Sequence, residues 1–271
     1  MNLNSFLKSI KNITFSPTYF LKEYSQFYAH QYLLNPPDYS KYKFLDGKET
    51  LEYLLKNKKS FIRLGEGEFS LLYGLDTIAY SQKYYSCLKD SLIKIIKDYN
   101  PNSPYFLAVP RLPIEKLTYS GIRKKKKIAY WHKAEAFMRN RLREDCLYGD
   151  PLIFKRVLNK DIESFKLWGN KSVLLVGSMV KYFKNKQLEL TKKQYLIEAP
   201  ATDAFREYQN ILKDILRVAN FRNLKRHDLV ILICLGVATK PIIYELSRLG
   251  LIAYDMGTYF DSRHEKKLKC F

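Results

Sequence analysis

The chain has 271 residues, 46% of them hydrophobic and 15% aromatic, enough to bury a substantial core and too apolar for a disordered segment. Forty-seven Lys and Arg against 27 Asp and Glu give a net charge of +20, which favours polyanions, anionic membrane surfaces or phosphorylated substrates without choosing among them. Cys87, Cys146, Cys234 and Cys270 form no CxxC pair and have no His at zinc spacing, which argues against a disulfide framework or structural zinc.

Residues 1–48 differ from the rest. Leu3, Phe6, Leu7 and Ile10 recur at helical spacing, and Pro36-Pro37 breaks the pattern. The expectation is an N-terminal helical arm, either docked on the main domain or touching a membrane or partner. No signal-peptide pattern and no apolar run of membrane-spanning length stands out. A cytoplasmic chain is expected, working at the inner face of the membrane if its basic segment binds there.

From residue 49 to 271 a single α/β domain is expected. TLEYLLKN reads as a helix, SFIRL as a strand, EFSLLYGL as a helix start, YYSCLKDSLIKIIKDY as a helix and YFLAVP as a buried strand. A helix around YWHKAEAFMRNRLR follows, then PLIFKRV. SVLLVGS, QYLIEAP and DLVILICLG are apolar, β-branched runs of the kind covered on both faces of a sheet. DAFREYQNILKDILRVA and VATKPIIYELSRLG are the helices between them, and LIAYDMG is the last strand. Such alternation predicts parallel βαβ units in an open sheet, with ligands beyond the carboxyl ends of the strands.

The segment FIRLGEGEFSLLYG, Phe61 to Gly74, joins Gly65 and Gly67 to Glu66 and Glu68. It lacks the third glycine of a dinucleotide fingerprint, with Ser70 in its place, and no GK[ST] of a phosphate loop follows. If the segment is extended, Glu66 and Glu68 at i and i+2 point the same way. Two such hard oxygen ligands suit Mg²⁺ or Mn²⁺, which would stabilise a departing nucleoside diphosphate. The competing reading is that both glutamates cap the next helix.

Arg63-Leu64-Gly65-Glu66-Gly67-Glu68 resembles the R-F-G-D-G-E segment of the GT-D glycosyltransferases. Gln82 before its helix, AVPR ending in Arg111, YGDPLIFKR from Tyr148 to Arg156, and the closing LVILICLGVATKPIIYELSRLGLIAYDMG are similar to further family segments in the family's order. The resemblance spans roughly residues 50 to 260. It implies a Rossmann-like, mostly parallel sheet with helices on both faces. It also implies a metal-dependent enzyme that transfers a sugar from a nucleoside-diphosphate sugar, UDP-linked by expectation, to a cell-surface glycan or glycoprotein. Mn²⁺ or Mg²⁺ is then expected on Glu66 and Glu68. Arg63, Gly65, Gly67, Gln82, Arg111, Asp150, Arg156 and Gly236 are expected around the nucleotide sugar. Asp255 is expected as the catalytic base or a completing ligand. Glu66 stands where the family has Asp, and Thr258 where it has His.

Planar guanidinium groups at Arg63, Arg111 and Arg156 suit paired bonds to diphosphate oxygens. The run Arg123 to Lys127 is a solvated face or a contact to an anionic membrane or lipid-linked acceptor. Two rival classes remain open from the residues. One is a basic nucleic-acid-binding protein that uses its tyrosines for stacking. The other is a catalytically silent, membrane-associated scaffold.

Overall fold

The computed structural model describes residues 41–72, 82–110, 141–156, 167–181, 184, 190–191, 193–221, 228–257 and 259. The chain divides into two compact units, residues 1–42 with 111–144 and residues 43–110 with 145–271. In the first, Lys41 Nζ lies 2.9 Å from Glu144 Oε1. Most of the expected N-terminal arm, the helix expected around Tyr130–Arg143 as far as residue 140, Arg111, Arg123 to Lys127 and Thr258 fall outside the described residues.

The second unit carries a sheet of six strands: β2 (Ser60–Arg63), β3 (Tyr105–Ala108), β5 (Ser172–Gly177), β6 (Gln194–Glu198), β7 (Leu229–Cys234) and β8 (Ile252–Asp255). Their spatial order is β3-β2-β8-β7-β5-β6, and every neighbouring pair is parallel. A separate parallel pair joins β1 (Lys43–Phe44) to β4 (Leu147–Tyr148). Residues 173–176 of β5 and 229–233 of β7 are fully buried, as expected for strands covered on both faces. The expected α/β architecture is the observed one.

Strand alternation shows how the helices cover the sheet. Phe106 of β3 stacks at 4.3 Å on Tyr53 of α1 (Gly47–Asn57), and Phe61 of β2 meets Phe154 of α4 (Ile153–Arg156) edge-on. Tyr105, the residue before Phe106, instead donates its hydroxyl to Ile95 O of α3 (Ser86–Asp98) and packs on Tyr244 of α6 (Thr239–Arg248). Successive strand residues face opposite sides, so α1 and α4 cover one face and α3 and α6 the other. Among the described residues the remaining α-helices are α2 (Glu66–Leu72) and α5 (Tyr208–Phe221).

Local chemistry fixes the boundaries. Asp46 caps α1 by accepting the Glu49 N–H, and Glu49 accepts the Asp46 N–H in return, a reciprocal capping box. Pro241 sits in the first turn of α6, where the missing N–H breaks no helical bond. Gly149 lies between β4 and α4, where a Cβ would stand 2.7 Å from a Phe106 ring carbon and 3.0 Å from the Thr50 methyl. The YGD segment therefore needs glycine for packing.

The β2–β8 junction is the thinnest part of the sheet. It has one register pair, Phe61 with Tyr254, where β2–β3 and β7–β8 have four each. Side chains supplement it at both ends. Ser60 Oγ donates to Leu251 O and accepts the Ala253 N–H near the strand starts. Arg63 and Asp255 meet at the strand ends.

Candidate functional site

The carboxyl ends of β2, β7 and β8 bring four charged side chains together. Arg63 closes β2, Glu68 lies in the first turn of α2, Lys240 is the second residue of α6 and Asp255 closes β8. Arg63 Nη2 is 3.2 Å from Asp255 Oδ1. Lys240 Nζ is 2.9 Å from Asp255 Oδ2 and 2.6 Å from Glu68 Oε1. Asp255 is fully buried, the Lys240 side chain is 4% exposed, and Arg63 keeps 18%.

The surrounding backbone holds these groups in place. Glu68 Oε2 accepts the Gly65 N–H at 2.6 Å. Asp255 Oδ1 also accepts the Gly257 N–H at 3.0 Å, whereas Asp255 Oδ2 has no hydrogen bond and is compensated by the nearby ammonium charge. Arg63 Nη1 donates to Pro151 O at 2.7 Å. Asp150 accepts the Leu152 N–H and donates its own N–H to Thr50 Oγ1. The Asp150 turn thus sets the carbonyl that anchors Arg63. Thr239 Oγ1 accepts the Leu235 N–H and closes the turn between β7 and α6. There Gly236, at φ +58°, offers its carbonyl to Lys240 Nζ at 2.9 Å.

Burial opposes both charges on Lys240 and Asp255, and the partners outweigh it. Desolvation pushes the Lys240 ammonium down, yet Asp255 and Glu68 hold it above its ordinary value. Desolvation pushes Asp255 up, yet Arg63 and Lys240 hold it below the ordinary carboxylate range. Both stay charged at neutral pH.

The sequence-derived expectations meet this geometry unevenly. Arg63, Gly65, Glu68, Asp255 and Gly236 do assemble, and Asp150 adjoins them through Pro151. Gly67 lies inside α2. Gln82 is 2% exposed. Its amide donates to Asp203 Oδ1 and Lys83 O and accepts the Phe205 N–H, so it ties two loops together instead of lying open to a nucleotide. Arg111 and the side chains of Glu66 and Arg156 lie outside the described residues.

The geometry bears on two further expectations. Asp255 is a poor base for an acceptor hydroxyl, because it is fully buried, held by two cations and acidified. The paired-glutamate metal site was expected from an extended segment and from the family resemblance. The backbone at Glu66 instead opens α2, and the Glu66 side chain lies outside the described residues. Both Glu68 oxygens already have partners. Among the described residues no cluster of three or more His, Cys, Asp or Glu is placed to hold a metal ion. Of the expected pair only Glu68 can be placed, and as placed it is engaged by Lys240 and the Gly65 N–H.

Lys240 escaped the sequence reading. The signal was present, since it is the one charge between Leu229 and Tyr244, and a lysine within such an apolar run needs an acidic partner if it is buried.

A fully parallel α/β sheet with charged groups at its carboxyl edge defines the class of proteins that bind ligands in that crevice. The chain belongs to the glycosyltransferase GT-D fold family, whose model matches residues 61–267, and it is a glycosyltransferase of that fold. Three solved structures share its architecture. One is a domain of unknown function 1792, in selenomethionine form, at 20% identity and TM-score 0.66, covering 94% of this chain and 86% of that one. A second, described as that domain with a distinct glycosyltransferase fold, shows 22% identity, TM-score 0.64, and coverage of 92% and 84%. The third, described as a new glycosyltransferase from Streptococcus sanguinis, shows 22% identity, TM-score 0.66, and coverage of 84% and 85%. No curated protein matches the chain. Among the described residues no helix is long and apolar enough to cross a membrane.

Proposed function

We propose that the chain transfers a sugar from a UDP-sugar to an acceptor on a cell-surface glycan or glycoprotein, with the donor diphosphate against Arg63. The observation that carries this reading is the anchoring of Arg63 at the crevice end of β2. Its two terminal nitrogens are fixed by Pro151 O and Asp255, and the side chain stays partly exposed. A guanidinium oriented in advance meets the charge that grows on the departing diphosphate without rearranging during the reaction. Asp255 orients Arg63 and Lys240. The basic run Arg123 to Lys127 is assigned to an anionic membrane or lipid-linked acceptor. Neither the nucleic-acid reading nor the silent scaffold has an observation of its own in this site.

Calorimetric titration with UDP tests the proposal. Wild type binds, and Arg63→Ala weakens binding about ten- to hundredfold, the worth of a hydrogen bond to a charged group. A wild-type chain that ignores UDP contradicts the reading.

A further inference from the structure

Glu68 and Asp255 come from two distant segments, and the space between them is filled by one ammonium. Lys240 Nζ has three oxygens around it: Glu68 Oε1 at 2.6 Å, Asp255 Oδ2 at 2.9 Å and Gly236 O at 2.9 Å. Two carboxylates and a backbone carbonyl form the kind of oxygen set that a hard divalent cation takes. Here a side chain of the protein supplies the cation.

Three further features say that this arrangement is built. Lys240 lies in the first turn of α6, where the helix dipole disfavours a cation, so the two carboxylates must hold it there. The remaining oxygens have their own donors, Gly65 N–H on Glu68 and Gly257 N–H with Arg63 on Asp255. Among the described residues two cations face two carboxylates, a formally neutral set, whereas a metal-binding pair carries excess negative charge. A metal ion entering between Glu68 and Asp255 would have to push aside a lysine with 4% of its side chain exposed and leave that ammonium buried without counter-charge. Such an uncompensated charge is strongly penalised.

We propose that Lys240 is the resident cation of this site, a positioning residue that stands where a divalent metal ion would and leaves Glu68 with no metal-binding role. Through Asp255 it also fixes Arg63. The purpose of the cluster, donor binding, rests on the function proposed above. The exclusion of metal from Glu68 rests on the geometry alone.

Mn²⁺ titration of the full chain, followed by electron paramagnetic resonance of the free ion, tests this without an activity assay. Glu68→Gln keeps the shape of the side chain and removes its charge, and any Mn²⁺ affinity of the wild type is expected to survive it. Lys240→Met leaves two carboxylates facing each other and is expected to gain a Mn²⁺ site that Lys240→Met/Glu68→Gln lacks. A merely structural lysine would give no such gain. Wild-type Mn²⁺ binding that is weakened by Glu68→Gln overturns the proposal, as does a folded Lys240→Met chain that takes up no additional Mn²⁺. If Lys240→Met does not fold, the comparison of wild type with Glu68→Gln decides alone. UDP titration in the presence of EDTA separates the two readings. UDP binding that requires Mn²⁺ and is lost in Glu68→Gln overturns this proposal, and a chain that binds no UDP under any condition overturns the proposed function instead.

Discussion

Asp255→Asn is expected to destabilise the chain by about 3–5 kcal/mol, the cost of removing one member of a buried charge cluster. Two cations lose their shared partner. Lys240 keeps Glu68, but among the described residues Arg63 keeps only the Pro151 carbonyl. Urea denaturation at neutral pH measures the loss. The pH dependence follows from the depressed carboxyl of Asp255. A group whose folded pKa lies below its unfolded value contributes stability that is fully present above the unfolded value and lost as pH falls through the folded one. The gap between wild type and Asp255→Asn should therefore be widest above 3.8, the ordinary value, and close as the solution is acidified below it. A gap that stays constant into strong acid, or an Asn variant as stable as wild type, would show that the cluster contributes little.

Gly257→Ala should match Arg63→Ala in its effect on UDP binding, a loss of about tenfold or more. Gly257 holds φ +56°, and a side chain there costs on the order of 1–2 kcal/mol in strain. The larger consequence is steric. A Cβ would stand 1.9 Å from Arg63 Nη2 and 2.7 Å from Arg63 Cζ, so the guanidinium must leave Asp255. Because both substitutions act through one group, they should not add. Arg63→Ala/Gly257→Ala is expected to bind UDP no worse than Arg63→Ala alone. Additive losses would mean that Gly257 serves the ligand by another route.

Much of the fold was legible because period and composition carry it. Runs such as LVILIC and VLLVG carry no polar side chain, as suits a short strand covered on both faces. The helix Ser86–Asp98 follows from Leu88, Leu92 and Ile95 on one buried stripe. The two-residue strands Lys43–Phe44 and Leu147–Tyr148 are too short for any period to show.

The site was legible as a set of strand ends and illegible as a set of pairs. Arg63 and Asp255 are 192 positions apart, and no local pattern tells one end that the other arrives beside it. The local reading of Glu68 left two conformations open, an extended turn and a helix start, and the chain begins α2 there. The role of Gln82 depended on Asp203, 121 residues away. Asp203 sits at φ +50° and also accepts the Tyr85 hydroxyl. Only the assembled chain shows that Gln82 holds two loops together.

A crystal of the chain soaked with UDP tests the central claim most directly. The account predicts diphosphate oxygens within hydrogen-bond distance of the Arg63 guanidinium, at the carboxyl ends of β2 and β8. A nucleotide bound elsewhere, with Arg63 still turned only to Pro151 and Asp255, would contradict it.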